Sequence, residues 1–175
     1  MSDSAPIPSA PASFPESLAT LMSYKQWADA ELLAAIRSIG PLARLLLGGV
    51  LLAIVRHIHA VDRVFRAHLL GIPHGLSSPN PSHPASLDAL EESVRSTDAW
   101  FVAWARELRA SEASEMLLIT FTDGSRQRLT RLEMGQHVLL HGAFHRGNAG
   151  ILLRLCRVPA LPDRLTSYLR LTRAG

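Results

Sequence analysis

At 175 residues the chain is long enough for one domain with a full core, and its 47% hydrophobic and 19% charged residues exclude a disordered polymer. The net charge is only +3, and the 17 arginines and single lysine (Lys25) are spread along the sequence, so no basic patch marks a nucleic-acid partner. Cys156 is the one cysteine, which rules out an internal disulfide and leaves nothing to indicate an oxidising compartment.

The opening MSDSAPIPSAPASFP lacks the basic and long apolar regions of a signal peptide. Residues 1–16 read as a flexible lead-in and residues 17–175 as a single domain. The first helix is predicted from Ser17, a candidate N-cap, to Ile39, with Leu18, Leu21, Met22, Trp27, Leu32, Leu33 and Ile36 on the apolar face and Gly40-Pro41 ending it. The second covers Leu42 to Leu70, with Gly48-Gly49 expected to weaken its start into a loop or turn. Its most apolar run, Leu45 to Val55, is bounded by Arg44 and Arg56 and is shorter than the roughly 20 residues a membrane span needs. It reads as a buried core helix of a soluble, cytoplasmic protein with no membrane partner.

Residues 71–85, rich in proline and glycine, form a loop. A third helix capped by Ser86 runs to Leu108, with Leu87, Leu90, Val94, Trp100, Phe101 and Trp104 inward. The stretch LLITFTDGSRQRLTRL then changes period and reads as a hairpin around Asp123-Gly124, its polar second strand at an edge. The fourth long helix extends from Arg131 or Leu132 to Leu155. Pro159 and Pro162 separate it from a short helix, Arg164 to Leu171. Four long helices with modest connections give an all-α fold, an antiparallel four-helix bundle with a hairpin before the last long helix.

That last long helix carries the most informative residues. His137, His141 and His145 recur every four positions and so form one stripe, and imidazoles at i and i+4 can share a divalent ion. A further ligand is expected from a facing helix. His57 shares a face with Val61, Val64 and His68, whereas His59 falls about 200° away. His57 is therefore the inward candidate and His59 the reserve. His74 and His83 fall in the loop and are expected to be solvated; His68 falls near a helix end. The HExxH pattern is absent, since Gly142, Ala143 and Phe144 follow His141, which disfavours hydrolysis of that type. Arg146 would suit an anionic substrate group, or pair with an acid on a neighbouring helix. Three imidazoles do not select among zinc, nickel, copper and iron.

HVLLHGAFHRGN closely resembles the last-helix signature of the DinB/YfiT-like family. YKQWADAELL resembles its first-helix segment, with Asp29 where asparagine is usual, and HIHAVDRVF its second, with a histidine five positions before an acid, here His57 and Asp62. The hairpin matches as well. The resemblance implies an up-down-down-up bundle and a divalent metal (nickel, zinc, iron or manganese) held by His57, His141 and His145 with positions left open. It implies a supporting role for His137, Asp62 and Asp29 around the ligands, and a homodimer, to which the Leu45–Val55 run would contribute. The activity implied is metal-dependent chemistry on a low-molecular-weight thiol, of S-transferase or isomerase type, with a small-molecule thiol or electrophile as substrate. A metal-dependent hydrolase, with Asp62 or Asp29 as distant base, and a non-catalytic stress-related ligand-binding bundle are the alternatives.

Overall fold

The computed structural model describes residues 14–81, 86–159 and 161–174. Its elements are α1 (Phe14–Ser38), α2 (Pro41–Leu70), α3 (Leu87–Glu107), the single turn α4 (Ala110–Ala113), β1 (Met116–Thr120), β2 (Arg126–Thr130), α5 (Arg131–Leu155) and α6 (Leu165–Arg173). The molecule is mostly helical with one two-stranded antiparallel sheet. α1 packs against α3 and α5, and α2 against α5 and α3.

Local chemistry sets the helix boundaries. Ser86 Oγ accepts from Ala89 N and opens α3. Thr130 and Glu133 satisfy each other's backbone amides in a capping box that starts α5 directly from β2. Gly71, in the left-handed region at φ 69°, closes α2. In the hairpin Met116 pairs with Thr130 and Thr120 with Arg126, and the turn places Gly124 at φ 82°, which a side chain would resist. Ile119 is buried and ties the sheet to the core, whereas β2 is largely exposed.

Several expectations need correction. α1 begins at Phe14, so Ser17 lies inside the helix and residues 14–16 belong to it. Pro15 is tolerated there because a first-turn amide has no intrahelical partner to lose. The rest of the expected lead-in lies outside the described residues. α2 runs unbroken through Gly48-Gly49: the ~1 kcal/mol cost per glycine is overridden where Gly48 is buried beside the Arg44 side chain and Leu51 and Val55 enter the core.

The Leu45–Val55 run is not a buried core segment. Gly48, Leu51 and Val55 are buried, but Leu45, Leu46 and Val50 are 81%, 66% and 51% exposed. An all-apolar run advances 100° per residue and presents apolar side chains all round, while the core occupies one side. α2 consequently has the length and hydropathy of a membrane span, with a window of mean hydropathy 1.6. Finally, α4 was not anticipated, because a four-residue turn, held by Arg109 and Glu112, shows no period. Trp100 and Trp104 are only partly buried, at the margin of the core.

The apolar core has two halves. One gathers Met22, Phe65, Phe101, Ile119, Met134 and Val138 near the hairpin; the other gathers Leu32, Ile36, Leu51, Val55, Leu90 and Leu153. On each long helix the buried charged residues fall between these two sets: Lys25 and Asp29, Asp62, Asp98, and Arg146. A polar layer thus separates the halves. His57 of α2 lies at the level of His141 and His145 of α5.

Candidate metal centre

α2 presents His57 to α5, which presents His141 and His145 one turn apart. One ring nitrogen from each lies within 4.8 Å of those of the other two. The ring centroids are 4.9 Å (His57–His141), 4.6 Å (His57–His145) and 4.4 Å (His141–His145) apart. His57 Nδ1 is 3.0 Å from the carbonyl oxygen of Pro79, so that nitrogen carries the proton and donates, leaving the Nε2 lone pair turned to the other rings. His57 Nε2 and His141 Nε2 are 3.1 Å apart. Two nitrogens bound tetrahedrally to one ion at about 2.0–2.1 Å would stand about 3.3 Å apart. The donor set therefore fits a divalent metal, with His57, His141 and His145 as the residues that would hold it.

The electrostatics keep His141 and His145 in the ligating form. Burial, followed by the neighbouring His145, His57 and His137 and by Lys25, pushes His141 down to about 3. Burial and His57 lower His145 as well. Neutral imidazoles offer lone pairs without first losing a proton.

The remaining histidines do other things. His137 stacks on Phe65 at 4.5 Å and lies parallel to His141 at 5.5 Å, outside the converging set. His59 is buried on the α3 side of α2, its Nε2 2.8 Å from Ser93 Oγ, so His57 and not His59 joins the α5 pair. His68 Nε2 meets the backbone of Thr120, at 2.9 Å from its oxygen and 3.2 Å from its nitrogen. His74, expected to be solvated, is partly buried and accepts from Leu76 N through Nδ1 at 3.0 Å. His83 lies outside the described residues.

Beside the histidines lies the ionic layer. Lys25, 1% exposed, places Nζ 2.7 Å from Asp29 Oδ2, 2.7 Å from Asp62 Oδ2 and 2.5 Å from Asp98 Oδ1. Three carboxylates converging in this way would suit a cation, but the ammonium already fills the point where they meet. Arg146, also 1% exposed, reaches Asp29 Oδ1 through Nη1 at 2.9 Å and Asp163 Oδ2 through Nε at 2.8 Å. Asp163 in turn accepts from Tyr24 Oη at 2.5 Å. Burial works against every charge here. Even so, Lys25 and Arg146 hold the Asp29 carboxyl below its usual range, and the three carboxylates hold Lys25 well above its own.

The sequence model of the DinB family matches residues 15–173. The chain belongs to the DinB family. No curated protein and no solved structure matches it. Within this DinB chain, Asp29 and Asp62, expected around the ligands, are both committed to Lys25, and Arg146 is paired with the acids of α1 and of the segment before α6. Sequence reasoning missed Lys25, Asp98 and Asp163. Two signals were present: Lys25 is the sole lysine and sits four residues before Asp29, and Asp98 occupies an inward position between Val94 and Phe101.

His59 gives this DinB chain a testable pH dependence. Burial first, then the positive charges of Arg63 and Lys25, push its pKa down to about 4. An unfolded imidazole titrates near 6.5. Between those values the unfolded chain takes up a proton that the folded chain refuses, so this contribution is present above pH 6.5 and lost as pH falls. Buried carboxyls titrate in overlapping windows, so the comparison is with His59→Gln. The wild-type advantage in urea denaturation is expected to be largest above pH 7 and to shrink towards pH 4. A difference that does not change with pH would mean that His59 charges freely in the folded state.

Proposed function

We propose that this DinB-family chain is a divalent-metal enzyme acting on a low-molecular-weight thiol, in an S-transfer or isomerisation reaction. The observation that carries the reading is the convergence of His57, His141 and His145, with no fourth donor grouped with them among the described residues. Such a set is of the catalytic kind, in which open positions remain for a reactant. A divalent metal bound there supplies a Lewis acid that lowers the pKa of a coordinated thiol or water.

The residues around the site divide the work. The Pro79 carbonyl fixes the tautomer and orientation of His57, and His137 braces His141 against Phe65. Hydrolysis would need a free general base. Asp29 and Asp62, the candidates in the sequence, are held by the Lys25 ammonium, which favours a reaction in which the thiol itself is the nucleophile. Arg146 contacts an anionic group of the substrate only if Asp163 releases it. The reading extends to an up-down-down-up arrangement of the four long helices, a cytoplasmic setting, and a homodimer that covers the exposed apolar residues of α2.

The test is consumption of glutathione, bacillithiol or mycothiol in the presence of electrophiles, with and without added nickel, zinc, iron or manganese. Metal-dependent thiol loss is expected with at least one thiol. Ester cleavage without thiol loss would favour the hydrolase, and neither activity would favour a ligand-binding bundle.

A further inference from the structure

The fully buried charges between the two halves of the core do not balance. Lys25 and Arg146 supply two positive charges, whereas Asp29, Asp62 and Asp98 supply three negative ones when all are ionised. Asp163 takes the other side of Arg146 but is partly exposed and bonded to Tyr24, so solvent shares its charge. One added proton makes the buried quintet neutral, the state a low-dielectric interior favours.

The geometry indicates where that proton resides. Asp29 takes both cations, through Oδ2 to Lys25 and Oδ1 to Arg146, and is the carboxylate best held as an anion. Among the described residues Asp62 and Asp98 have only Lys25 as a cation partner, and Asp62 Oδ1 is buried with no hydrogen-bond partner. The charges facing this pair are Lys25 and Asp29 from α1, Arg146 from α5, and each other across α2 and α3. Burial, reinforced by the neighbouring carboxylates, pushes Asp98 up to about 8 and Asp62 up to about 6 against the pull of Lys25.

The layer also touches the ligand helix. Gly142 follows His141 directly, and a Cβ there would lie 3.0 Å from Arg146 Nη1, 3.5 Å from Lys25 Cε and 3.9 Å from Ile58 Cγ2, the neighbour of His57. The ionic layer and the three histidines are thus separated by about one helix backbone.

We propose that Asp62 and Asp98 together store one proton as a removable counter-charge for the histidine site. Uptake of a divalent cation by His57, His141 and His145 is accompanied by loss of that proton to solvent. The neutral layer becomes anionic and offsets the charge brought in beside it. The proposal rests on the three-histidine reading of the site and adds a linkage to it: metal affinity and the protonation of a carboxyl pair that never touches the metal depend on one another.

Calorimetric titration of the metal-free full chain with zinc chloride at pH 7.5, in buffers of different ionisation enthalpy, counts the protons released. Wild type is expected to release about one proton more than Asp98→Asn, the ionisation of zinc-bound water being common to both. At pH 8.5 the wild type should bind zinc on the order of tenfold more tightly than the variant, and the gap should close towards pH 6.5. An infrared difference spectrum of wild type alone, with and without zinc, should show loss of a protonated carboxyl C=O band, which decides the matter even where the variant does not fold. Equal proton release by two zinc-binding proteins, or no carboxyl band lost, overturns the proposal. Absence of any zinc binding by wild type overturns the histidine-site reading, and the proposal with it.

Discussion

Replacing His141 and His145 together by alanine is expected to abolish stoichiometric binding of divalent metal, as measured by elemental analysis after dialysis and by direct titration. Of the three converging donors the variant retains only His57, whose Nε2 would face a gap where two donors stood. One imidazole cannot hold an ion against water, because the binding free energy of a protein site is the sum of several such bonds in a fixed geometry. His57→Ala is expected to be less severe, since the α5 pair survives one turn apart, but it removes the donor that α2 contributes. His137→Ala and His59→Gln should keep full occupancy, one ring being stacked on Phe65 and the other bonded to Ser93. The same proteins give a second readout. Metal at a hundredfold excess over Kd raises stability by about 2.7 kcal/mol through mass action, so wild type should melt higher with metal and the double variant should not shift. Full occupancy in the double variant would exclude this site.

The parts of this site that the sequence made legible are those written in local periodicity. α5 was expected from Arg131 or Leu132 to Leu155 and spans Arg131–Leu155, and the four-residue spacing of His141 and His145 places both on one side. His57 was separable from His59 because two residues along a helix turn the side chain to another neighbour, here Ser93 on α3. What stayed hidden depends on contacts distant in sequence. Lys25 and Asp98 are 73 positions apart, and a charged residue on a helix ordinarily marks the solvent face, so the local signals at each did not reveal that the two meet in the core. The Pro79 carbonyl that orients His57 lies in an aperiodic loop. Leu45–Val55 misled for the opposite reason: where every residue is apolar, no period remains to tell the inner face from the outer one.

Lys25→Met should be the most damaging single change away from the histidines, at about 3–5 kcal/mol in denaturant unfolding at pH 8. The mutation removes no charge from the surface and little volume from the core. Its effect is to leave Asp29, Asp62 and Asp98 buried around a methyl group. Arg146 still reaches Asp29, but among the described residues Asp62 and Asp98 keep no cation within bonding distance. Those two must then be protonated for the chain to fold, and this fixes the sign of the pH dependence. Carboxyls whose folded pKa is raised above the unfolded value of about 3.9 bind more protons in the folded state, so stability is lost as pH rises through the interval between the two values. The deficit of Lys25→Met should therefore be largest at alkaline pH and diminish on acidification. Adding Asp62→Asn and Asp98→Asn to Lys25→Met should recover much of the loss at pH 8, because amides impose no charge on the interior and can bond to one another. A deficit below about 1 kcal/mol, or one that grows on acidification, would mean that the three carboxylates do not depend on the ammonium. Recovery in the triple variant, with zinc binding then measured on it, would separate the two duties of the layer. Neutral amides restore the packing that holds α5 against α1, but they provide no anion to offset a cation at the histidines.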